Sequence, residues 1–208
     1  MKFYYLLNYT KIGEFRFCSH LELKAVWERS LRKAGVPVAF SQGFNPQIKL
    51  SFPWALPVNV VSYDEYLKLE LVEWISERNF AAILQPWLPK EVGLKKITEI
   101  QKNRIIPEYF VYRVELTRDY AENLLKTKCS QLLANDTLLI NREKKGKAKT
   151  IDAREFIDGI SVISSSQLQM ILKFTQKGSV KVIEVLNLLG LQDECRLITK
   201  LKSKITLS

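Results

Sequence analysis

Three scarcities narrow the reading before any motif is considered. The 208 residues hold one histidine and three cysteines, Cys18, Cys129 and Cys195, far apart and with no CxxC pair. Neither a tetrahedral zinc site nor a disulfide framework can be assembled from that set, so no metal is expected and a reducing compartment, the cytoplasm, is. No apolar run approaches the roughly 18 residues of a membrane-spanning helix. The opening MKFYYLLNYTKIGEF is broken by Asn8 and Lys11 and lacks a small-residue cleavage site, which speaks against an export signal and against a membrane partner.

Acidic residues are also in deficit. Lys and Arg number 32 against 22 Asp and Glu, a formal net charge of +10. Such an excess favours a polyanionic partner, because each cation docked on a phosphate releases counterions. With 47% hydrophobic residues the chain can still bury a sizeable core. Charge alone does not separate a nucleic-acid binder from a soluble basic protein, so its distribution must decide.

The periodicity divides the chain into two halves of similar order, 1–102 and 103–208, with a joint at 103–107. In the first half, residues 3–9 read as a strand, and Ser19-His20-Leu21-Glu22 reads as a capping box opening a helix. Leu23, Val26, Trp27, Ser30, Leu31 and Ala34 give that helix its apolar stripe, and Gly35 and Pro37 stop it. Strands are expected near 47–52 and 63–72. A helix capped by Ser76 follows, with Phe80, Ile83, Leu84 and Trp87 as its stripe, and then a strand near 92–100.

The second half repeats the order: a strand at 108–116, a helical stripe of Ala121, Leu124, Leu125, Cys129, Leu132 and Leu133, and a strand at 137–142. A hairpin over 159–174 comes next, with 167–175 its surer strand. A helix capped by Ser179 and stopped by Gly190 precedes a last strand near 195–205. Two βαββαβ successions predict an α+β chain of tandem ferredoxin-like halves, the second with an extra strand or hairpin. Trp27, Leu31, Leu124 and Leu186 are expected on the buried helix faces.

Two basic surfaces follow from the pattern. In NREKKGKAKTIDAR (141–154), Arg142, Lys144, Lys145, Lys147, Lys149 and Arg154 are opposed only by Glu143 and Asp152, and Gly146 suits a hairpin tip. This basic finger reads equally as a solvated loop or as a contact to phosphates. In the first helix, Arg29, Arg32 and Lys33 lie off the apolar stripe near the C-terminal end, where positive charge also suits the helix dipole.

That basic end leads directly into PVAFSQGFNPQIKLSFPWALP (37–57). Turn chemistry accounts for Gly43, Asn45 and Pro46. It does not account for Phe44, which is expected to lie partly buried beneath the loop because a lone exposed Phe is costly without a ligand. Gln42, Gly43, Phe44 and Asn45 beside Arg29, Arg32 and Lys33 combine amides, an aromatic and cations, a mixture suited to single-stranded RNA.

The same residues resemble a bacterial family of unknown function, the radical SAM-linked or radical SAM-associated domain. The resemblance rests on Phe17 to Leu21, the Arg-rich helix of Arg29 to Ala34, Ser41 to Pro46, Ser51-Phe52, Leu56 to Val58 and Glu65 to Leu67, and on the later KKGK…D-x-R segment. It covers essentially the full chain. Two positions depart from it: Gln47-Ile48 stands where the family has His-Pro, and Asn59 where Gly is usual. The resemblance implies a radical SAM protein as partner. This chain has no CxxxCxxC, so the iron–sulfur cluster and S-adenosylmethionine are expected in that partner, and no cofactor here.

Catalytic alternatives are thin. His20 in the first helical turn invites comparison with duplicated ferredoxin-like endoribonucleases, and Asp152 near Arg154 with the Asp nucleophile of pseudouridine synthases. A hydrogen-bonded structural His and an Asp–Arg pair account for the same residues more simply. The expectation is therefore a basic module that binds RNA, tRNA or rRNA, with no DNA specificity, and presents it to a radical SAM enzyme. An RNA-processing enzyme and a scaffold that never touches RNA are the rival classes.

Overall fold

The computed structural model describes residues 2–144 and 147–208. The chain is α+β and divides into two compact units, one of residues 1–106 with 207–208 and one of residues 107–206. Among the described residues, no helix is long and apolar enough to cross a membrane.

In the first unit the elements run β1 (Phe3–Lys11), α1 (His20–Lys33), β2 (Leu50–Ser51), β3 (Val60–Leu71), α2 (Glu77–Leu84) and β4 (Leu94–Ile100). β1 lies between β3 and β4, and β2 pairs with the outer edge of β3, all antiparallel. The alternation of β1 turns Tyr5, Leu7 and Tyr9 inward, and that of β3 turns Leu67, Leu69 and Leu71 inward. Leu23, Trp27 and Leu31 from α1 and Phe80 and Leu84 from α2 complete this core.

α1 begins as its sequence suggests. Ser19 Oγ accepts from the Glu22 N–H at 3.3 Å, and the Glu22 carboxylate accepts from the Ser19 N–H at 2.7 Å. α2 departs from expectation. Ile83 and Trp87 are exposed rather than inward. Pro86 carries no N–H, so the chain tightens into a 3-10 turn at Gln85–Trp87 and the 3.6-residue stripe is lost there. β2 is also shorter than 47–52, because an isolated bridge between Phe40 and Ile48 takes up the start of that segment.

In the second unit the elements are β5 (Ile105–Leu116), α3 (Glu122–Ala134), β6 (Leu139–Lys144), β7 (Lys147–Asp152), β8 (Ile157–Ser164), β9 (Gln167–Thr175), β10 (Gly178–Ser179), α4 (Val182–Leu188) and β11 (Cys195–Leu207). β5 lies between β9 and β11, and both β8 and β10 pair with β9. β6 and β7 form a separate antiparallel hairpin. With that hairpin set aside, β5, α3, β8, β9, α4 and β11 repeat the succession and the neighbour order of the first unit.

The core here gathers Val114, Leu125, Cys129, Leu132, Leu168, Met170, Val185 and Leu186. Leu124, expected inward, is exposed: the buried stripe runs Leu125, Cys129, Leu132, and its neighbour in sequence falls about 100° around the helix. Ser179 does not cap α4. It pairs with Phe174 in β10, and the N-cap is Lys181, two residues later, whose N–H donates to the Glu184 carboxylate at 2.7 Å.

Candidate nucleic-acid interface

The loop after α1 is a closed excursion. Ala39 N–H donates to Glu70 O at 2.9 Å, and Lys49 N–H to Ala39 O at 2.8 Å, fixing both stems beside β3. Ser41 N–H donates to Gln47 O at 2.8 Å, while Ser41 Oγ accepts from Gln47 N–H at 3.0 Å. Lys49 and Lys2 both pair with Glu70, at 3.3 and 3.1 Å. Beyond this base, Gln42, Gly43, Phe44, Asn45 and Pro46 are all exposed.

Phe44 is fully exposed, which overturns the expectation of a partly buried anchor. The reason is local: the two Ser41–Gln47 hydrogen bonds close the loop below it, leaving the tip no apolar surface to cover. Gly43 has φ of +124° with nothing within 4 Å of where a Cβ would stand, so its backbone conformation, not crowding, requires glycine.

On α1, Arg29, Arg32 and Lys33 are exposed. Of the two cations four residues from Glu28, Lys24 pairs with it at 3.4 Å and Arg32 does not. Lys33 Nζ lies 5.8 Å from the centre of the Trp87 ring, a contact that the expected inward Trp87 concealed.

The finger is the β6–β7 hairpin, with Arg142 opposite Lys149 and Lys144 opposite Lys147. Lys145 and the expected tip at Gly146 lie outside the described residues, as do the side chains of Lys144 and Lys147. Lys149 is exposed. Arg142, expected among the phosphate contacts, is engaged within the fold. Its Nε donates to Glu184 Oε1 at 2.7 Å, and its Nη2 to Glu184 Oε2 at 2.6 Å and to Ser179 O at 2.8 Å. Burial pushes the Glu184 carboxyl up, but hydrogen bonds from Arg142 and the Lys181 N–H hold it below its usual range. Arg154 is likewise committed, donating to Leu133 O at 3.3 Å and Ile157 O at 2.9 Å.

The two weak catalytic candidates have structural surroundings. Asp152 Oδ1 accepts from the Leu138 N–H at 2.8 Å and the Arg154 N–H at 2.9 Å, and these two bonds lower its carboxyl. His20 opens α1 and rests edge-on against Phe52, ring centres 4.8 Å apart. Among the described residues, no group of three His, Cys, Asp or Glu is placed to hold a metal ion.

Among the described residues two buried cations, Lys11 and Lys200, escaped the sequence reading. Lys11, 1% exposed, donates to Cys18 O at 2.8 Å and Arg16 O at 3.4 Å, and desolvation lowers its pKa. It ties down the segment ahead of Ser19. Glu65 is buried too, accepting from Ser62 Oγ at 2.7 Å and Trp54 Nε1 at 2.9 Å. Of the segments that carry the family resemblance, 65–67 lies in β3 with Glu65 and Leu67 buried, 17–21 leads into α1 with Phe17 and Leu21 exposed, and 42–46 faces solvent.

Comparison with known proteins adds a family. No curated protein matches the chain. Among solved structures it is similar to one titled "Crystal Structure of a Cbf5-Nop10-Gar1 Complex", at TM-score 0.48 and 11% identity; the match covers 96% of this chain and 48% of that one, about half its length. A family model described as "Uncharacterized protein conserved in bacteria (DUF2344)" matches residues 4–182, most of the chain, which therefore belongs to that family.

Proposed function

We propose that this chain is an RNA-binding accessory module that presents tRNA or rRNA to a radical SAM enzyme, built from two ferredoxin-like halves. The observation that carries the reading is Phe44, a fully exposed aromatic at the tip of a loop whose base is closed by hydrogen bonds. Exposed there, it has a free face for stacking on an unpaired base, with the Gln42 and Asn45 amides exposed beside it to meet base edges. The cations of α1 and the net charge of +10 supply phosphate attraction of the kind such a loop needs.

The order βαββαβ and the neighbour order β2-β3-β1-β4 support the ferredoxin-like reading of the first unit; the same order without the β6–β7 hairpin supports it for the second. The radical SAM partner, with its iron–sulfur cluster and S-adenosylmethionine, rests on the family resemblance of the sequence. The decisive experiment titrates the purified chain, alone, with total tRNA and with rRNA fragments, follows retardation, and analyses the recovered nucleosides by mass spectrometry. Retardation with unchanged nucleosides supports the module. Altered nucleosides would make it an enzyme, and the absence of any retardation would leave only a scaffold.

A further inference from the structure

Beside α1 runs a cleft of about 370 Å³, walled on one side by Phe15 and α1 and on the other by Pro86, Trp87 and Pro89, with Arg29 and Lys33 on its rim. This volume falls within the about 300–1,000 Å³ range of small-molecule pockets. We propose that the cleft seats one nucleotide of the bound RNA, its base on the Trp87 indole and its phosphate between Arg29 and Lys33. The proposal deepens the RNA-binding reading and rests on it.

Four observations converge. The lining contains two cations and no carboxylate, so the charges on its wall have one sign. Trp87 is 48% exposed, an indole offering a face to solvent rather than packed into the core. Lys33 Nζ is 5.8 Å from that ring, near the outer limit of about 6 Å for a cation–π contact, so it can yield the face to a base and turn to the phosphate at small cost. The wall is also stiff. Ser30 Oγ donates to Trp87 O at 2.9 Å, and Pro86 and Pro89 restrict the backbone on both sides, so little ordering is left for binding.

A planar aromatic platform next to paired cations suits a base with its phosphate better than an acidic peptide, whose side chains would leave the indole face unused.

The test uses a fluorescein-labelled hexauridylate carrying one 4-thiouridine, titrated into the parent chain and into Trp87→Ala, Trp87→Phe and Arg29→Ala/Lys33→Ala, with thermal melts confirming that each is folded. Trp87→Ala is expected to weaken binding by about 5- to 150-fold and Trp87→Phe much less. The double variant is expected to lower the salt slope by about 0.7 per lost cation. Irradiation of the parent is expected to place the thiouridine adduct on residues 85–89, and this readout stands even if Trp87→Ala does not fold. Variants that bind like the parent, or adducts confined to residues 41–47 or 147–154, overturn the nucleotide seat while the RNA-binding reading survives. Competition by hexaglutamate as effective as that by unlabelled hexauridylate overturns it in favour of an acidic peptide. A parent that binds no RNA removes both.

Discussion

The Arg142 guanidinium and the Glu184 carboxylate meet side by side, Nε to Oε1 at 2.7 Å and Nη2 to Oε2 at 2.6 Å. This two-point contact fastens the β6 strand of the hairpin to the first turn of α4, and the third bond, to Ser179 O, extends it to β10. Paired and partly buried, such a contact is among the stronger side-chain interactions. It also separates two cations that face each other across the hairpin: Arg142 serves the fold, whereas Lys149 opposite it is exposed.

Arg142→Ala is accordingly expected to lower unfolding free energy by about 1.5–3 kcal/mol, the range for hydrogen bonds to charged groups. Lys149→Ala, at an exposed position, is expected to leave stability within about 0.5 kcal/mol. Urea titration of both variants measures this. Salt-dependent RNA titration of Lys149→Ala then asks whether this exposed cation meets a phosphate, with a slope lower by about 0.7 to 0.9 expected for a lost contact. A destabilisation by Lys149→Ala as large as that of Arg142→Ala would contradict this division of the hairpin.

The same pair carries a pH dependence. The folded Glu184 carboxyl titrates below its ordinary value of about 4.3, so its stabilisation is fully present above that value. It disappears as pH falls through the lower, folded value, because protonation then removes the acceptor charge facing Arg142. Parent minus Glu184→Gln stability is expected to be constant from pH 7 to about 5 and to shrink below about 4. Other lowered carboxyls, such as Glu22 at the start of α1, contribute to both proteins and cancel in this difference. A gap that widens on acidification would reverse the assigned sign.

Phe44→Ala separates the two roles open to that residue. With the ring fully exposed, its removal is expected to change the melting temperature by less than about 1 °C, as for other surface positions. RNA affinity is expected to fall by about 1–3 kcal/mol if a base stacks on it. A loss of stability in the 3–5 kcal/mol range of buried Phe truncations would show that the loop folds over the ring in solution.

The regular elements were legible because their signals are local. The Ser19–Glu22 capping box, the alternation of β3 and the stop at Gly190 each depend on neighbours within a few residues. What escaped depends on distant partners or on a break in period. Trp87 left its stripe because Pro86 tightened the turn. The pairing of Arg142 with Glu184, 42 residues away, is invisible to a local pattern. Lys11 sits on the inward series Tyr5, Leu7, Tyr9, so its burial was readable in principle, but a charge at a strand end is ordinarily taken for its exposed terminus. At the candidate site, composition marked the loop at 41–46, whereas the burial of Phe44 turned on whether the loop closed beneath it, which a pair of Ser41–Gln47 hydrogen bonds decides.

Asp152 and Arg154 provide the last test, between a catalytic and an architectural pair. Asp152 Oδ1 gathers the N–H groups of Leu138 and Arg154, while the Arg154 side chain reaches two carbonyls, Leu133 O and Ile157 O. Every one of these contacts is to backbone, so the pair sets the chain path from β7 into β8 rather than poising a nucleophile. Asp152→Asn keeps an oxygen acceptor for both N–H groups and is expected to melt close to the parent, whereas Asp152→Ala melts lower. Arg154→Lys retains the charge but not the forked geometry and is expected to cost about 1–2 kcal/mol for the carbonyl bonds it cannot reproduce. All three are expected to bind RNA as the parent does once folded, and to leave its nucleosides as the parent leaves them. An Asp152→Asn variant of parental stability that abolished an RNA-modifying activity found in the parent would make Asp152 catalytic after all.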